Sequence, residues 1–226
     1  MYLVIYMMKK KMDIIYEDKY LLVVNKPTKL LTIATAKEKE TTLYHEASEY
    51  VKKKHKSNKI FIVHRLDKDT SGVVVFAKDE KTKKMLQDNW DKYAVNREYT
   101  ALVKGHIKPD KNTLKNKLVE TRTNMVYVDD KSKLGKLAIT KYVVINYKDN
   151  NSLIKINILT GRKNQIRVQL DHYGYPIVGD NKYGKNKSFY NRLMLHANKL
   201  ELINPITNEK LELIARMPKE FNNYFK

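Results

Sequence analysis

The sequence predicts an α+β fold with a largely antiparallel, mixed sheet. Most apolar residues fall into short runs or alternating stretches typical of strands, and only three stretches show helical spacing. Strands and helices do not alternate regularly along the chain, which disfavours a parallel sheet built from β-α-β units. Hydrophobic residues make up 42% of the 226 residues, enough for a substantial core.

The first predicted elements are two short strands and a helix. Residues 13–26 contain two apolar stretches on either side of a polar turn at 17–19. Thr41 or Thr42 is suited to cap a helix that runs to about residue 56, because its apolar residues recur on one face.

Two further strands and a second helix follow. The runs at 60–63 and 73–77 are rich in β-branched residues and predict buried strands. Asp79 is suited to cap a helix that reaches about residue 94, and its apolar stripe consists of Thr82, Leu86, Trp90 and Tyr93. We interpret this stripe as core packing, and base stacking by Trp90 is the alternative.

The second half of the chain is predicted to contain mostly strands. Alternating residues predict strands at 97–107, 137–147 and 152–159, with a polar, hairpin-like segment at 108–136. A helix is expected from Gly161 to about residue 173. A closing hairpin, 193–202 with 210–215, is expected to turn at Pro205.

The chain shows no internal repeat and no long linker, so we expect one domain over residues 13–226. Residues 1–12 are expected to be a disordered extension or to precede the true start. Their apolar residues come before the basic ones, the reverse of a signal peptide, and the run is too short to span a membrane. We therefore expect a cytoplasmic protein with no membrane partner.

The charge predicts a polyanionic partner. The chain has 45 Lys and Arg against 25 Asp and Glu, a net charge of +20, which suits RNA, DNA or an anionic membrane. A compositional bias toward Lys explains part of this surplus but not the shortage of acids, so nucleic acid is favoured. The chain lacks cysteine, which excludes disulfides, thiolate catalysis and cysteine-based zinc sites. No metal-ligand spacing of histidines and no glycine-rich phosphate loop is present, so we expect neither metal nor cofactor.

One motif combines acids, cations and a turn between two predicted strands. Residues 64–72 read His-Arg-Leu-Asp-Lys-Asp-Thr-Ser-Gly. A carboxylate mounted between core strands is rigid and partly desolvated, as a catalytic nucleophile requires. The residue types alone favour a structural turn, because most acids that connect strands are only turn formers.

This motif resembles that of the RluA-type pseudouridine synthases, His-Arg-Leu-Asp-x-x-Thr-Ser-Gly. Further segments match in the same order over about residues 13–217: 25–27 (Asn-Lys-Pro), 97–105, 159–167, 174–184, 195–197 and 204–207. Two positions depart from the family pattern, because Asn164 and Gln169 stand where histidine is usual. Both can still hydrogen-bond, and we expect them to affect packing or RNA contacts rather than the chemistry.

The resemblance implies a catalytic domain with a sheet in two halves and a central cleft. It implies isomerisation of uridine to pseudouridine in ribosomal or transfer RNA without a cofactor, by a protein expected to act as a monomer. Many relatives carry an additional RNA-binding domain before this core, and we expect none here.

The resemblance also assigns catalytic residues. Asp67 is the expected catalytic carboxylate, attacking C1′ or C6 of uridine or assisting loss of the C2′ proton; these routes stay open, and Asp69 is the nearest rival. Arg167 is the expected cationic partner of Asp67, with a surface contact to phosphate as the alternative. Tyr99 is expected to pack on the uracil and help remove the C5 proton.

Six residues are predicted to contact RNA. Arg65 is expected to fill the gap left by a flipped base, and Arg162 and Gln165 to contact the backbone. Lys52, Lys53 and Lys54 either contact phosphates or simply favour the negative end of the helix dipole. Two rival functions remain: a non-catalytic RNA-binding or ribosome-assembly protein, and a glycosylase that releases uracil.

Overall fold

A computed structural model describes residues 12–35, 42–184 and 191–225. Its strands are β1 (Ile14–Glu17), β2 (Leu21–Lys26), β3 (Phe61–Ile62), β4 (Ser71–Ala77), β5 (Ala94–Lys104), β6 (Lys111–Glu120), β7 (Val126–Val128), β8 (Lys136–Lys148), β9 (Asn151–Ile158), β10 (Leu195–Ile203) and β11 (Lys210–Ile214). Its helices are α1 (Leu43–Lys54), α2 (Glu80–Asp88), α3 (Trp90–Tyr93), α4 (Gln165–His172) and a 3₁₀ helix at Lys219–Tyr224.

All described strands belong to one sheet, in the order β1-β2-β4-β10-β5-β9-β8-β6-β7, with β3 paired to β4 and β11 to β10. Among these pairs, only β4 with β10 is parallel. The prediction of an α+β fold with a mixed, largely antiparallel sheet is therefore confirmed. The two parts of the sheet meet at β10, which pairs with β4 on one side and with β5 on the other.

Both faces of the first part are buried, because β2 and β4 are apolar at nearly every position. Successive side chains point to opposite faces of a strand. One face packs against Leu86 of α2 through Leu21, Val23, Val73 and Val75. The other packs against Leu43, Ala47 and Val51 of α1 through Leu22, Val24, Val74 and Phe76.

The predicted helix at 41–56 is confirmed as α1, and the side chain of Thr42 caps it by accepting a hydrogen bond from the His45 amide. The helix predicted from 79 to 94 is broken. Asp79 caps α2 as expected, but Asn89 leaves the helical region at φ −135° and ψ 39°, so that the chain enters β5 at Ala94.

The N-terminal extension predicted at residues 1–12 lies outside the described residues except for Met12, which packs against the core cluster beside α1. In the part of the chain that the structure describes, no helix is long and apolar enough to cross a membrane.

Candidate active site

The loop between β3 and β4 carries the acidic motif, and Lys26 holds its backbone from behind. Lys26 is fully buried at the end of β2, and its Nζ donates to the carbonyls of Pro27 at 2.9 Å, Leu30 at 2.7 Å and Lys68 at 3.0 Å. These acceptors match the three donors of an ammonium group. Burial lowers the pKa of Lys26 to about 7. The lysine therefore anchors the loop rather than facing substrate.

Two threonines fix the loop on either side of Asp67. The hydroxyl of Thr32 donates to the Leu66 carbonyl at 2.8 Å and accepts from the Leu66 amide at 3.2 Å. The hydroxyl of Thr28 donates to the Asp69 carbonyl at 2.7 Å. The backbone position of Asp67 is consequently set by contacts before and after it.

The Ser-Gly end of the motif has a structural role at the centre of the sheet. Ser71 Oγ lies 2.6 Å from Arg192 Nη2 and 2.8 Å from His196 Nδ1. Gly72 has φ +121°, and a Cβ there would lie 2.1 Å from the Ala197 carbonyl oxygen. Only glycine permits this approach of β4 to β10.

The carboxylate of Asp67 is oriented through one of its oxygens. Oδ2 accepts a hydrogen bond from Asn164 Nδ2 at 2.5 Å and lies 3.4 Å from Arg167 Nη1. Oδ1 makes no hydrogen bond to any residue within the described ranges. The side chain is 26% exposed. One oxygen is thus held by the protein, and the side chain as a whole is partly exposed.

Arg167 contacts Asp67 as predicted, but its closer partner is Asp180. Nε and Nη2 of Arg167 each lie 2.8 Å from a different oxygen of Asp180, a bidentate pair whose side chains are 5% and 1% exposed. Burial alone raises the pKa of Asp180, but hydrogen bonds from Arg167 outweigh it and hold that pKa below its usual range. Asp180 therefore fixes the guanidinium of Arg167. The remaining nitrogen, Nη1, is the atom that contacts Asp67.

Asn164 was expected to affect packing or RNA contacts, but in the structure its side chain contacts Asp67 directly. It precedes α4 in the left-handed conformation, φ 52° and ψ 21°, which asparagine tolerates better than most residues. Its Oδ1 accepts from Tyr183 Oη at 3.0 Å and Lys182 Nζ at 3.2 Å, so its NH₂ group must face Asp67. The signal available in the sequence was the departure from histidine at this position.

Gln165 is buried, and its amide shapes the turn before α4. Its Oε1 accepts from the Thr160 hydroxyl at 2.8 Å and the Arg162 amide at 3.0 Å. Its Nε2 donates to the Ile139 carbonyl and to Thr140 Oγ1. These contacts favour a role in positioning the turn, and its predicted contact with RNA stays a prediction.

Gln169, the second departure from the family pattern, lies in a buried polar network. Its Nε2 donates to Asn116 Oδ1 at 3.0 Å, and its Oε1 accepts from Thr140 Oγ1 at 2.7 Å. Both partners are themselves buried. The glutamine thus satisfies its hydrogen-bonding groups under α4, away from Asp67, in line with the expected effect on packing.

Tyr99 lies on β5, beside the acidic loop. Burial raises the pKa of its phenol to about 12, a shift that the charge of Arg97 opposes and that of Asp67 reinforces. The hydroxyl is therefore protonated at neutral pH.

Asp67, Tyr99 and Arg167 converge on one cavity of about 350 Å³, within the size range of small-molecule sites. Its wall comes from the acidic loop, from β5, from the end of β9 and from the start of α4. The lining residues are Arg65, Leu66, Asp67, Thr70, Tyr99, Ile158, Gly161, Arg162, Lys163, Asn164, Gln165, Ile166, Arg167 and Leu195. Asp69, the rival carboxylate, does not line it.

Three of the predicted RNA contacts, Arg65, Arg162 and Gln165, line this cavity. Arg65 is exposed, and Arg162 is exposed with its Nε donating to the Leu137 carbonyl at 3.0 Å. Both arginines line the wall as exposed residues. Their position suits contact with a phosphate or a displaced base.

The lysines at the end of α1 do not line the catalytic cavity. Lys54 Nζ lies 2.8 Å from Glu17, and Lys52 Nζ lies 3.5 Å from Glu49. Lys53 is exposed. The contact of these lysines with RNA stays a prediction.

Comparisons with known proteins agree with this site. A family model described as RNA pseudouridylate synthase matches residues 20–172. The RNA pseudouridine synthase YhcT of Bacillus subtilis, described as uncharacterized, is 34% identical over 215 residues, covering 94% of this chain and 71% of that protein. The ribosomal large subunit pseudouridine synthase D of Zymomonas mobilis is 33% identical over 235 residues, covering 95% and 72%.

The fold agrees as well. The solved structure of human RNA pseudouridylate synthase domain containing 4 has a TM-score of 0.78 and 25% identity, and the match covers 93% of this chain and 90% of that chain. The sequence family and the architecture therefore point to the same reaction. The chain belongs to the RNA pseudouridylate synthase family, and its reaction is the isomerisation of uridine to pseudouridine in RNA.

Proposed function

We propose that Asp67 is the carboxylate with which this enzyme isomerises a flipped-out uridine in ribosomal or transfer RNA. The observation that carries this proposal is the orientation of Asp67. Two donors hold its Oδ2, and its Oδ1 is left for substrate in a cavity that Tyr99 also lines. A nucleophile needs this combination of rigid support and one accessible atom.

The reaction requires few groups. The bond from ribose C1′ to uracil N1 breaks, a bond from C1′ to C5 forms, C5 loses a proton, and N1 gains one. The oxidation state does not change. Attack of Asp67 on C1′, attack on C6 and removal of the C2′ proton each need an ionised carboxylate, so the same arrangement serves all three routes.

Arg167 and Asn164 orient the carboxylate of Asp67. Taking a carboxylate partly out of water is unfavourable unless charged or hydrogen-bonding partners replace the water. Arg167 supplies a positive charge, and Asn164 supplies a hydrogen bond without a charge. Because Asp180 holds the guanidinium of Arg167, the distance between that guanidinium and Asp67 does not depend on substrate.

Tyr99 contributes its ring and its hydroxyl. Aromatic rings pack against nucleobases, and Tyr99 is the tyrosine that lines this cavity. We assign the hydroxyl to removal of the C5 proton. Since its pKa is about 12, this step depends on a minor phenolate population or on transfer of the phenol's own proton at the same moment.

Arg65 is the residue proposed to replace the flipped base. A uridine within a stacked strand must leave the stack before C1′ and C5 become reachable. Arg65 is exposed at the cavity wall, two residues from Asp67. Its planar guanidinium is suited to occupy the space that the uracil leaves.

The name of the Zymomonas mobilis relative makes large-subunit ribosomal RNA the first target to test, with transfer RNA second. The proposal includes a monomer acting in the cytoplasm.

A non-catalytic RNA-binding role does not require an oriented carboxylate beside a tyrosine. A glycosylase would release free uracil.

The test is a comparison of pseudouridine maps of cellular RNA with and without this gene. Loss of pseudouridine at defined uridines, restored by the intact gene but not by an Asp67→Asn version, is the expected result. Release of uracil by the purified protein would indicate a glycosylase. Unchanged maps with retained RNA binding would indicate the non-catalytic role.

A further inference from the structure

A second cavity, also of about 350 Å³, adjoins the catalytic one. The two share part of their lining, namely Arg65, Tyr99, Ile158, Gly161 and Arg162. The second cavity extends from this shared wall toward β10 and α3. An RNA strand that places one nucleotide beside Asp67 therefore has a neighbouring space for the next.

The charge of the second cavity suits a phosphate. Four of its lining residues are cations, and Asp91 is the one carboxylate in the described lining. Arg97 lies 3.0 Å from Asp91, and Lys199 lies 3.0 Å from Glu212, so both are already paired. Arg65 and Arg162, which belong to both cavities, supply the charge that is left.

The second cavity also contains an aromatic surface. The ring of Trp90 is only partly buried and stacks on His64, with centroids 4.5 Å apart and planes 25° apart. His64 Nε2 accepts from the Val75 amide at 3.0 Å. Burial lowers the pKa of His64 to about 4, so the imidazole is neutral at physiological pH. The stack fixes the indole ring without adding charge.

We propose that this second cavity binds the base of an unpaired nucleotide adjacent to the target uridine, packed against Trp90. Arg65 and Arg162 then contact the phosphate between the two nucleotides. The inference rests on the proposed function, and it defines the substrate class as RNA with two consecutive unpaired nucleotides. Trp90 is thus a base-contacting residue and not solely part of the core stripe.

Trp90 provides its own probe, because the chain contains a single tryptophan. Fluorescence excited at 295 nm is followed while the full chain is titrated with hexauridylate, and again with a hexamer in which every nucleotide is abasic. Binding of both is measured by polarisation of labelled RNA. We expect hexauridylate to quench Trp90 and the abasic hexamer, with the same phosphates, to bind more weakly and quench little.

Substitutions test the contribution of the ring. Trp90→Leu is expected to weaken hexauridylate binding about fivefold or more, the change that corresponds to about 1 kcal/mol of base stacking. Trp90→Phe is expected to restore part of the loss. Tyr127→Leu, an exposed aromatic on β7, serves as the control and should leave affinity unchanged.

Equal quenching by the two probes, or no quenching by bound hexauridylate, would overturn the inference. This result needs no variant, so it stands even if Trp90→Leu does not fold. Pseudouridine formation in mapped cellular RNA, together with a silent Trp90, would reject the second site while leaving the proposed function intact. Quenching of Trp90 without pseudouridine formation would support the second site and reject the proposed function.

Discussion

The side-chain amide of Asn164 donates to Oδ2 of Asp67 at 2.5 Å, and Tyr183 holds the other end of the same amide. Arg167 contacts that same oxygen. Both donors therefore lie on one side of the carboxylate, and the direction in which Oδ1 points depends on them. This relationship links the residue before α4 to the geometry of the nucleophile.

Asn164→Asp is expected to reduce single-turnover pseudouridine formation about 100-fold at neutral pH. A second carboxylate replaces the donor, repels Asp67 and raises the pKa of the pair, so the rising limb of the pH-rate profile should move to higher pH. Asn164→His restores a donor and should retain most activity. Asn151→Asp, at the start of β9, is the control. An unshifted profile for Asn164→Asp would show that Asn164 does not position Asp67.

Asp180→Asn is expected to lower the free energy of unfolding by about 3–5 kcal/mol, because it leaves the buried Arg167 without its counter-charge. Denaturant titration measures this change. Asp67→Asn is the matched control, since Asp67 is 26% exposed and its substitution should abolish catalysis with little loss of stability. Equal stability of the two variants would mean that Asp180 is not the main partner of Arg167.

Tyr99→Phe is expected to slow release of the C5 proton while leaving cleavage of the bond to N1 and RNA binding largely intact. If the phenolate is the base, its population rises about tenfold for each unit by which the pH increases, as long as the pH stays below the pKa of about 12. Tritium release from C5-labelled RNA should then climb between pH 7 and 9 in the native enzyme and stay flat in the variant. Parallel pH profiles would exclude the phenolate as the base, and an undiminished rate of tritium release in Tyr99→Phe would remove the proton-transfer role from Tyr99.

The sequence was sufficient to predict the strands around the motif, and its resemblance to the family implied that Asp67, Tyr99 and Arg167 share a site, as they do. Each of the three lies in a short motif that matches the family pattern, and that match, rather than local periodicity, carried the information. The pairing of Arg167 with Asp180 was not predicted, because it depends on how the chain folds back after α4. The contact of Asn164 with Asp67 joins segments 97 residues apart and also depends on tertiary structure.

The broken helix before β5 has a similar explanation. The spacing of Leu86, Trp90 and Tyr93 predicts one continuous apolar face, and nothing local requires a break at Asn89. The helix ends early because Ala94 begins β5, which pairs with β10. The break places Trp90 against His64 at the second cavity, which spacing alone does not predict.

Glu17 is expected to make the protein sensitive to acid. Although burial raises the pKa of its carboxyl, hydrogen bonds from Lys54, Lys78 and Tyr50 outweigh this and lower the pKa to about 2. The resulting stability is present above the ordinary value of 4.5 and is lost as pH falls toward 2. Glu17→Gln should therefore be less stable than the native protein above pH 5, with a difference that shrinks in acid. Glu49→Gln, at an exposed pair, should show no such difference.

The salt dependence of RNA binding separates the two groups of cations. Each phosphate contact lowers log K by about 0.7 per decade of salt for single strands. Arg65 and Arg162 are exposed and line the catalytic cavity, so replacing both with Gln should flatten the slope by about 1.4. The predicted contacts of Lys52, Lys53 and Lys54 would give a change of about 2 if all three bind phosphate.

Because Lys54 is bound to Glu17, we expect the triple Gln variant at the end of α1 to change the slope less than the double variant. Filter binding of the native protein and both variants at several salt concentrations measures the slopes. Single-turnover chemistry on saturating RNA should persist in the triple variant. A larger change for the triple variant would move the main phosphate-binding surface to α1, and a salt-independent affinity would reject electrostatic binding of RNA altogether.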